Sequence, residues 1–422
     1  MLLVGGFATM GDTMRKSRLI FAGASALLLA GGAAVYAQPG GGEATAVYWM
    51  TADTMSGMGG MMGMSRGAML GQMMRGRGMG GGTARTLRLQ LGSARRPAGA
   101  PTAEHVPPAG LQAGAALPLV TPEQVRPVPE TGPTEWTRNM ERPKGRILIY
   151  WGCGDHARPG QPVVIDFESL SQGRLPPAFA NLMAMRGALP PSPERFATYG
   201  EWPNARNSQR IPAGGSLVGE HLIHGNYSPD IRFSLGPNQD FMPAVTLTSN
   251  AAAPGGAMPL TWQPIGQSRG WLLTAMGAGG NGDMVMWTSS ETQAMAMGLD
   301  HMTDAELARL VQQRVLLPGA ADRCTVPAEV AGAGRGAMLT VTAFGGEHVF
   351  SNPLRPARAP AGWHPDWLVR LRLKSSYMGI LGMNMPEMGD ERGDRGGDPN
   401  QPQQPKKKKS IFDRAIGGMI PH

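Results

Sequence analysis

Cysteine is almost missing from this chain: 422 residues contain two, Cys153 and Cys324. That scarcity excludes a thiolate metal cage and a small scaffold stapled by many bridges. Charged residues are also thin at 17%, and aromatics stand at 6%. No helix-turn-helix pattern is present, and basic residues are not interleaved with aromatics, so nucleic acid is not an expected partner. Long apolar runs are absent but for one, Leu19 to Ala34. Glycine and proline are abundant instead, at 61 and 37 residues. They break the apolar stretches into short pieces, which excludes long helices as the main element and fits an all-β chain.

The one long apolar run follows Met14-Arg15-Lys16-Ser17-Arg18 and precedes Val35-Tyr36-Ala37, small residues suited to a signal peptidase. Residues 1–37 therefore read as a secretory signal peptide, with translation expected to begin at Met14. Adjacent arginines of the twin-arginine type are missing, as is a lipid-accepting Cys at the cleavage point. An uncleaved anchor is the alternative, at the short end of membrane-spanning length. Export places the protein in the periplasm, the envelope or the medium. Cleavage would remove Arg15, Lys16, Arg18 and Asp12, lowering the net charge from +8 to +6. In an oxidising compartment Cys153 and Cys324 are most simply a disulfide, closing a loop that by chain entropy contributes up to roughly 5 kcal/mol.

Beyond the leader, Ala44–Thr51 reads as a strand and Met55–Gly82 as a Gly/Met-rich loop or disordered insertion. Arg85–Leu91 alternates polar and apolar residues as a half-buried strand does. Residues 93–142 read as a Pro/Ala-rich extended connection. Arg146–Trp151 and Pro162–Phe167 are expected as neighbours in one sheet, with further strands at Ser216–His224, Ile231–Leu235, Met258–Trp262, Gly270–Ala275, Met284–Ser289, Met338–Phe344 and Trp367–Ser376. One helix is expected at about 303–317, capped by Thr303 with Glu306 three residues on. From Glu387 the chain is polar and expected to be disordered, ending in Lys406, Lys407, Lys408, Lys409, Ile411 and Phe412. The fold class is thus mainly β: antiparallel β-sandwich-like domains with long irregular segments. The expected divisions are an N-terminal β domain over 38–195, a second β domain over 196–300, a helix plus strands over 301–386, and a basic tail over 387–422.

The Leu-Thr-Trp strand, Pro-Ile-Gly-x-x-x-Gly turn and Trp-Leu-Leu-Thr strand within Pro259–Ser289 resemble part of a fibronectin type III sandwich. The resemblance implies a binding or scaffold module and carries no catalytic residues. Tyr48-Trp49, the Met/Gly insertion, Tyr150-Trp151-Gly152-Cys153-Gly154 and Tyr199-Gly200-Glu201-Trp202-Pro203 resemble a group of exported bacterial proteins. That resemblance implies an address and no activity.

Ten methionines lie between Met50 and Met79. The spacing of Met55, Met58, Met61, Met62 and Met64 lets neutral thioethers converge, and such donors select Cu(I) or Ag(I). Adaptable apolar filler is the alternative reading. Cys153 and His156 could pair as nucleophile and base of a Cys-dependent hydrolase, but no third residue or oxyanion pattern accompanies them, and half of a disulfide is the simpler reading. His221 and His224 on a strand would face opposite ways, which disfavours a shared metal. Gly332-x-Gly334-x-Gly336 reads as a loop. The Trp and Tyr residues read mainly as packing, and the scattered acids reveal no carboxylate pair. The lysine run with Ile411 and Phe412 is a solvated tail or a contact for anionic membrane. The expectation is an exported, non-enzymatic envelope protein that binds a protein, glycan or surface, with Cu(I)/Ag(I) handling as the alternative and no resident cofactor besides that copper.

Overall fold

The computed structural model describes residues 44–62, 82–123, 145–168, 188–293, 299–356, 358–360 and 362–383. The leader at 1–37, Met64, the polar tail and its Lys406–Lys409, Ile411 and Phe412 lie outside the described residues, as do the side chains of Met61 and Met62. The fold is mainly β, and its strands follow from the apolar alternation and β-branched content noted above.

In chain order the elements are β1 (Ala46–Gly57), α1 (Met58–Met62), β2 (Ala84–Ser93), β3 (Ala103–Val106) and β4 (Leu117–Leu119). Then come β5 (Arg146–Trp151), β6 (Val163–Asp166), β7 (Thr198–Trp202), β8 (Gly219–Gly225) and β9 (Ile231–Leu235). They are followed by β10 (Leu247–Asn250), β11 (Met258–Trp262), β12 (Gly270–Ala278), β13 (Met284–Thr288) and α2 (Asp304–Gln312). The last are β14 (Leu317–Pro318), β15 (Arg323–Val326), α3 (Ala328–Ala333), β16 (Arg335–Asn352) and β17 (Trp367–Ile380).

A ten-stranded sheet runs β6-β5-β13-β12-β16-β17-β1-β2-β7, with β14 beside β12. The pairs β1·β17 and β5·β13 are parallel, and its other pairs are antiparallel. A four-stranded sheet, β4-β3-β8-β9, and a three-stranded sheet, β10-β11-β15, share one apolar core with the inner face of the large sheet. Tyr48, Met50 and Ala52 of β1, Leu87, Leu89 and Leu91 of β2, and Val369, Leu371 and Leu373 of β17 supply that inner face at the strand period of two. The core meets the small sheets at Ile223, Ile231, Leu260 and Trp262. On the outer face, α2 lays Leu307 and Leu310 over Leu272 and Phe344.

The disulfide is present: Cys153, just after β5, is bonded to Cys324 of β15 with Cα atoms 5.3 Å apart. It ties one half of the large sheet to the three-stranded sheet. The expected adjacency of 146–151 and 162–167 is met by the β5·β6 pair.

Several local expectations are corrected. Residues 55–62 are regular, not loop: β1 continues to Gly57 because Met55, Ser56 and Gly57 pair with Ser376, Tyr377 and Met378. The Thr54 and Ser56 hydroxyls secure that extension, donating to the Met242 and Val245 carbonyls. Residues 93–142 include β3 and β4 rather than a bare connection. The helix begins with the expected capping box but ends at Gln312, where Arg314 adopts φ 57°, and Leu317 instead pairs with Trp271. Gly332 lies in α3, Gly334 caps it and Gly336 is already in β16. The large sheet draws strands from each of the segments 38–195, 196–300 and 301–386. Within Pro259–Ser289, β11 belongs to the three-stranded sheet while β12 and β13 form a hairpin in the large one.

Candidate functional site

Where β1, β17 and β16 run side by side, the outer face of the large sheet carries charge. The parallel register sets Trp49 beside Arg370, Thr51 beside Arg372 and Asp53 beside Lys374. Across β16, Arg372 faces Glu347. That last pairing depends on a bulge at Gly345-Gly346, which shifts the register and turns Glu347 toward the arginines. Glycine suits the site: a Cβ on Gly345 would stand 2.9 Å from the Leu373 carbonyl oxygen. The first residue of α2, Asp304, holds the bulge by accepting from the Glu347 backbone N–H at 2.7 Å.

Glu347 Oε1 accepts from Arg370 and from Arg372, each at 2.8 Å. The Arg372 guanidinium also lies 4.2 Å from the centre of the Trp49 ring, a cation–π contact. Trp49 in turn packs against the His301 ring at 5.3 Å. Lys374 bonds Asp300 and lies 3.9 Å from Asp53 Oδ2. Thr51, Asp53, Arg372 and Lys374, with Asp300, Met302 and Phe344, line a cavity of about 10 Å³, room for a single water-sized group.

Burial tunes these groups against one another. It pushes the Arg372 guanidinium below the usual arginine range, with Glu347 opposing the shift. Desolvation raises the Asp53 carboxyl, with Lys374 working against it. Lys374 is desolvated too, yet Asp53 and Asp300 outweigh that loss and raise it. His301 is pushed down to about 4 by burial and by the neighbouring Arg372 charge.

The unusual property of the site is what is left unpaired. Among the described residues ten buried side-chain polar atoms have no hydrogen-bond partner, and six of them are here: Trp49 Nε1, Thr51 Oγ1, Asp53 Oδ1, His301 Nδ1, and Arg372 Nε and Nη1. Buried polar groups are ordinarily paired, so this concentration beside a cavity that admits one water-sized group makes it the candidate site for a bound polar group.

None of these residues was singled out as a site in the sequence. The legible signal is Arg370, Arg372 and Lys374 alternating with Leu371 and Leu373, but their β1 partners, 321 residues away, are not legible. The sequence-predicted candidates fall elsewhere. Cys153 is in the disulfide and so offers no thiolate, while His156 sits at the surface, 3.1 Å from Glu329. His221 points into the core and exposed His224 pairs with Asp230 at 2.6 Å, the opposite facing expected of them. Met55 lies in β1, two residues before its end, and Met58 opens α1. Among the described residues no three His, Cys, Asp or Glu side chains cluster as metal ligands, and no helix is long and apolar enough to cross a membrane.

Comparison of the chain with family models, with curated proteins and with solved structures returns no match.

Proposed function

We propose that this protein is an exported, non-enzymatic binding module of the cell envelope that takes a hydroxyl-bearing glycan at the Arg372–Asp53 site. The observation that carries the reading is the unpaired set itself. Arg372 and Trp49 present N–H donors and Asp53 presents an acceptor. A hydroxyl, which donates and accepts at once, satisfies both kinds, whereas a carboxylate would face Asp53 and be repelled. A cavity this small admits one such group of a larger molecule lying over Lys374 and Asp300. Export is supported by the leader-like start and by the disulfide, a bond at home in an oxidising compartment. The test is co-sedimentation of the full chain with a panel of neutral and uronate-bearing polysaccharides. Binding at least tenfold weaker in both Asp53→Asn and Thr51→Val, with unchanged circular dichroism, supports the reading; wild-type binding in both variants overturns it.

A second reading, Cu(I) or Ag(I) handling by Met55, Met58, Met61, Met62 and Met64, is favoured by one observation. The β1–α1 junction sets the start of the methionine-rich segment against β17, where the Met378 side chain lies beside Gly59. Replacing the five by Leu should abolish Cu(I) uptake there; an unchanged titration removes the reading.

A further inference from the structure

A second group of methionines, two from the β12–β13 hairpin and one from β16, all distant in sequence from the Met/Gly-rich segment, meets on the outer face of the large sheet. Met276 of β12 stands directly opposite Met286 of β13 on one side and Met338 of β16 on the other. Directly opposed residues share a face, with Cβ atoms about 4.5–5.5 Å apart. Two rotatable bonds place each sulfur, so neighbouring thioethers in such a row can turn toward one another. Met276, the middle residue, is 47% exposed, while Met286 and Met338 are half-buried. Met286 is steadied by the apolar cluster of Ile147, Ile149 and Ile165. Beside the row is an open pocket of about 300 Å³, lined in part by Met276, Met284 and Phe167. It opens the Met276 side of the row to solvent.

The chemistry of the row is selective. Among the described residues the one carboxylate lining that pocket, Asp283, is engaged by Arg146 at 2.7 Å. What remains is a set of neutral, soft sulfur donors, which need no deprotonation, suit a monovalent soft cation and have little affinity for Ca²⁺, Mg²⁺ or Zn²⁺. We propose that Met276, Met286 and Met338 form a three-thioether site for Cu(I) or Ag(I). It is independent of the glycan reading and uses none of the methionines of the 55–64 segment.

The test uses the full chain with those five methionines replaced by Leu, titrated with Cu(I) under ascorbate against a chromophoric chelator. One tight site is expected to remain, with three sulfurs in its X-ray absorption shell. The triple Leu variant at 276, 286 and 338 should bind at least 100-fold more weakly. Because Met→Leu conserves volume, the fold should tolerate it. Met276→Leu alone, at the exposed position, should cost at least tenfold and guards against misfolding of the triple variant. Labelling methionine methyls with ¹³C should show three resonances moving together on Ag(I) addition. Copper affinity unchanged by the triple substitution, or a shell of nitrogen and oxygen, overturns the proposal.

Discussion

The Nε2 atom of His105 lies 2.8 Å from the Nδ1 atom of His221 in the core between the large and four-stranded sheets. His221 Nε2 is 2.7 Å from the Leu217 carbonyl, which can only accept, so that nitrogen carries the proton. His221 Nδ1 is then an acceptor, His105 Nε2–H donates to it, and His105 Nδ1 accepts from the Tyr48 hydroxyl at 2.8 Å. One directional chain is thus complete with both rings neutral, the form that burial favours.

Acid should therefore destabilise the fold. Burial lowers both histidines, and for His105 the neighbouring His221 adds to the effect. The native state thus binds fewer protons than the unfolded chain. Stability is complete above pH 6.5 and falls below it, by about 1.4 kcal/mol per pH unit for each histidine held neutral. Urea midpoints at pH 7.5 and pH 5 measure this; equal midpoints would contradict the buried neutral pair.

Removing Glu347 should cost far more than a surface ion pair. Arg372 is 4% exposed, and Glu347→Ala strands its charge beneath α2. A loss of about 3–5 kcal/mol in unfolding free energy is expected, as for any buried pair broken from one side. Arg370→Ala, which leaves the Arg372 bond intact, should cost less than 1 kcal/mol. Equal losses from the two variants would refute a buried pair at 372.

The β1–α1 junction should not tolerate a side chain at Gly57. Its φ is +63°, and a Cβ there would meet the Met378 carbonyl oxygen at 2.2 Å. Gly57→Ala should lower stability by about 1–3 kcal/mol and loosen the end of β1. Hydrogen exchange at residues 54–57 would show faster amides in the variant; protection equal to wild type would exclude the junction geometry.

Reduction should weaken the molecule without dissolving its sheets. The Cys153–Cys324 bond spans 171 residues of sequence, for which chain entropy predicts up to about 5 kcal/mol. Paired Cys→Ser substitution should lower the thermal midpoint while leaving the far-ultraviolet spectrum unchanged at 20 °C. Two free thiols in the untreated, oxidised protein would disprove the bridge.

What could be read from the chain was what local pattern encodes. Ile231–Leu235 and Met258–Trp262 fall on strands with those same ends, since alternation and β-branching are local properties. The Thr303–Glu306 cap was legible for the same reason, and both bonds of its capping box form. The helix end was not, because Leu317 is claimed by Trp271 across the sheet. His105 lay hidden in a proline-rich stretch whose strand exists through its pairing with β4 and β8. The Arg372 site, and the place of Met338 beside the Met276–Met286 hairpin pair, are products of register between strands distant in sequence, which no single window contains.

The parallel pairing of Ala46 with Trp367 has a consequence for how the molecule comes into being. On that side the first strand waits for the last: until more than three hundred further residues have been made or delivered, β1 presents a bare row of amides and carbonyls. A chain assembled in that order closes its largest sheet at the final step. Any product cut short before β17 keeps an open edge onto which another copy can add.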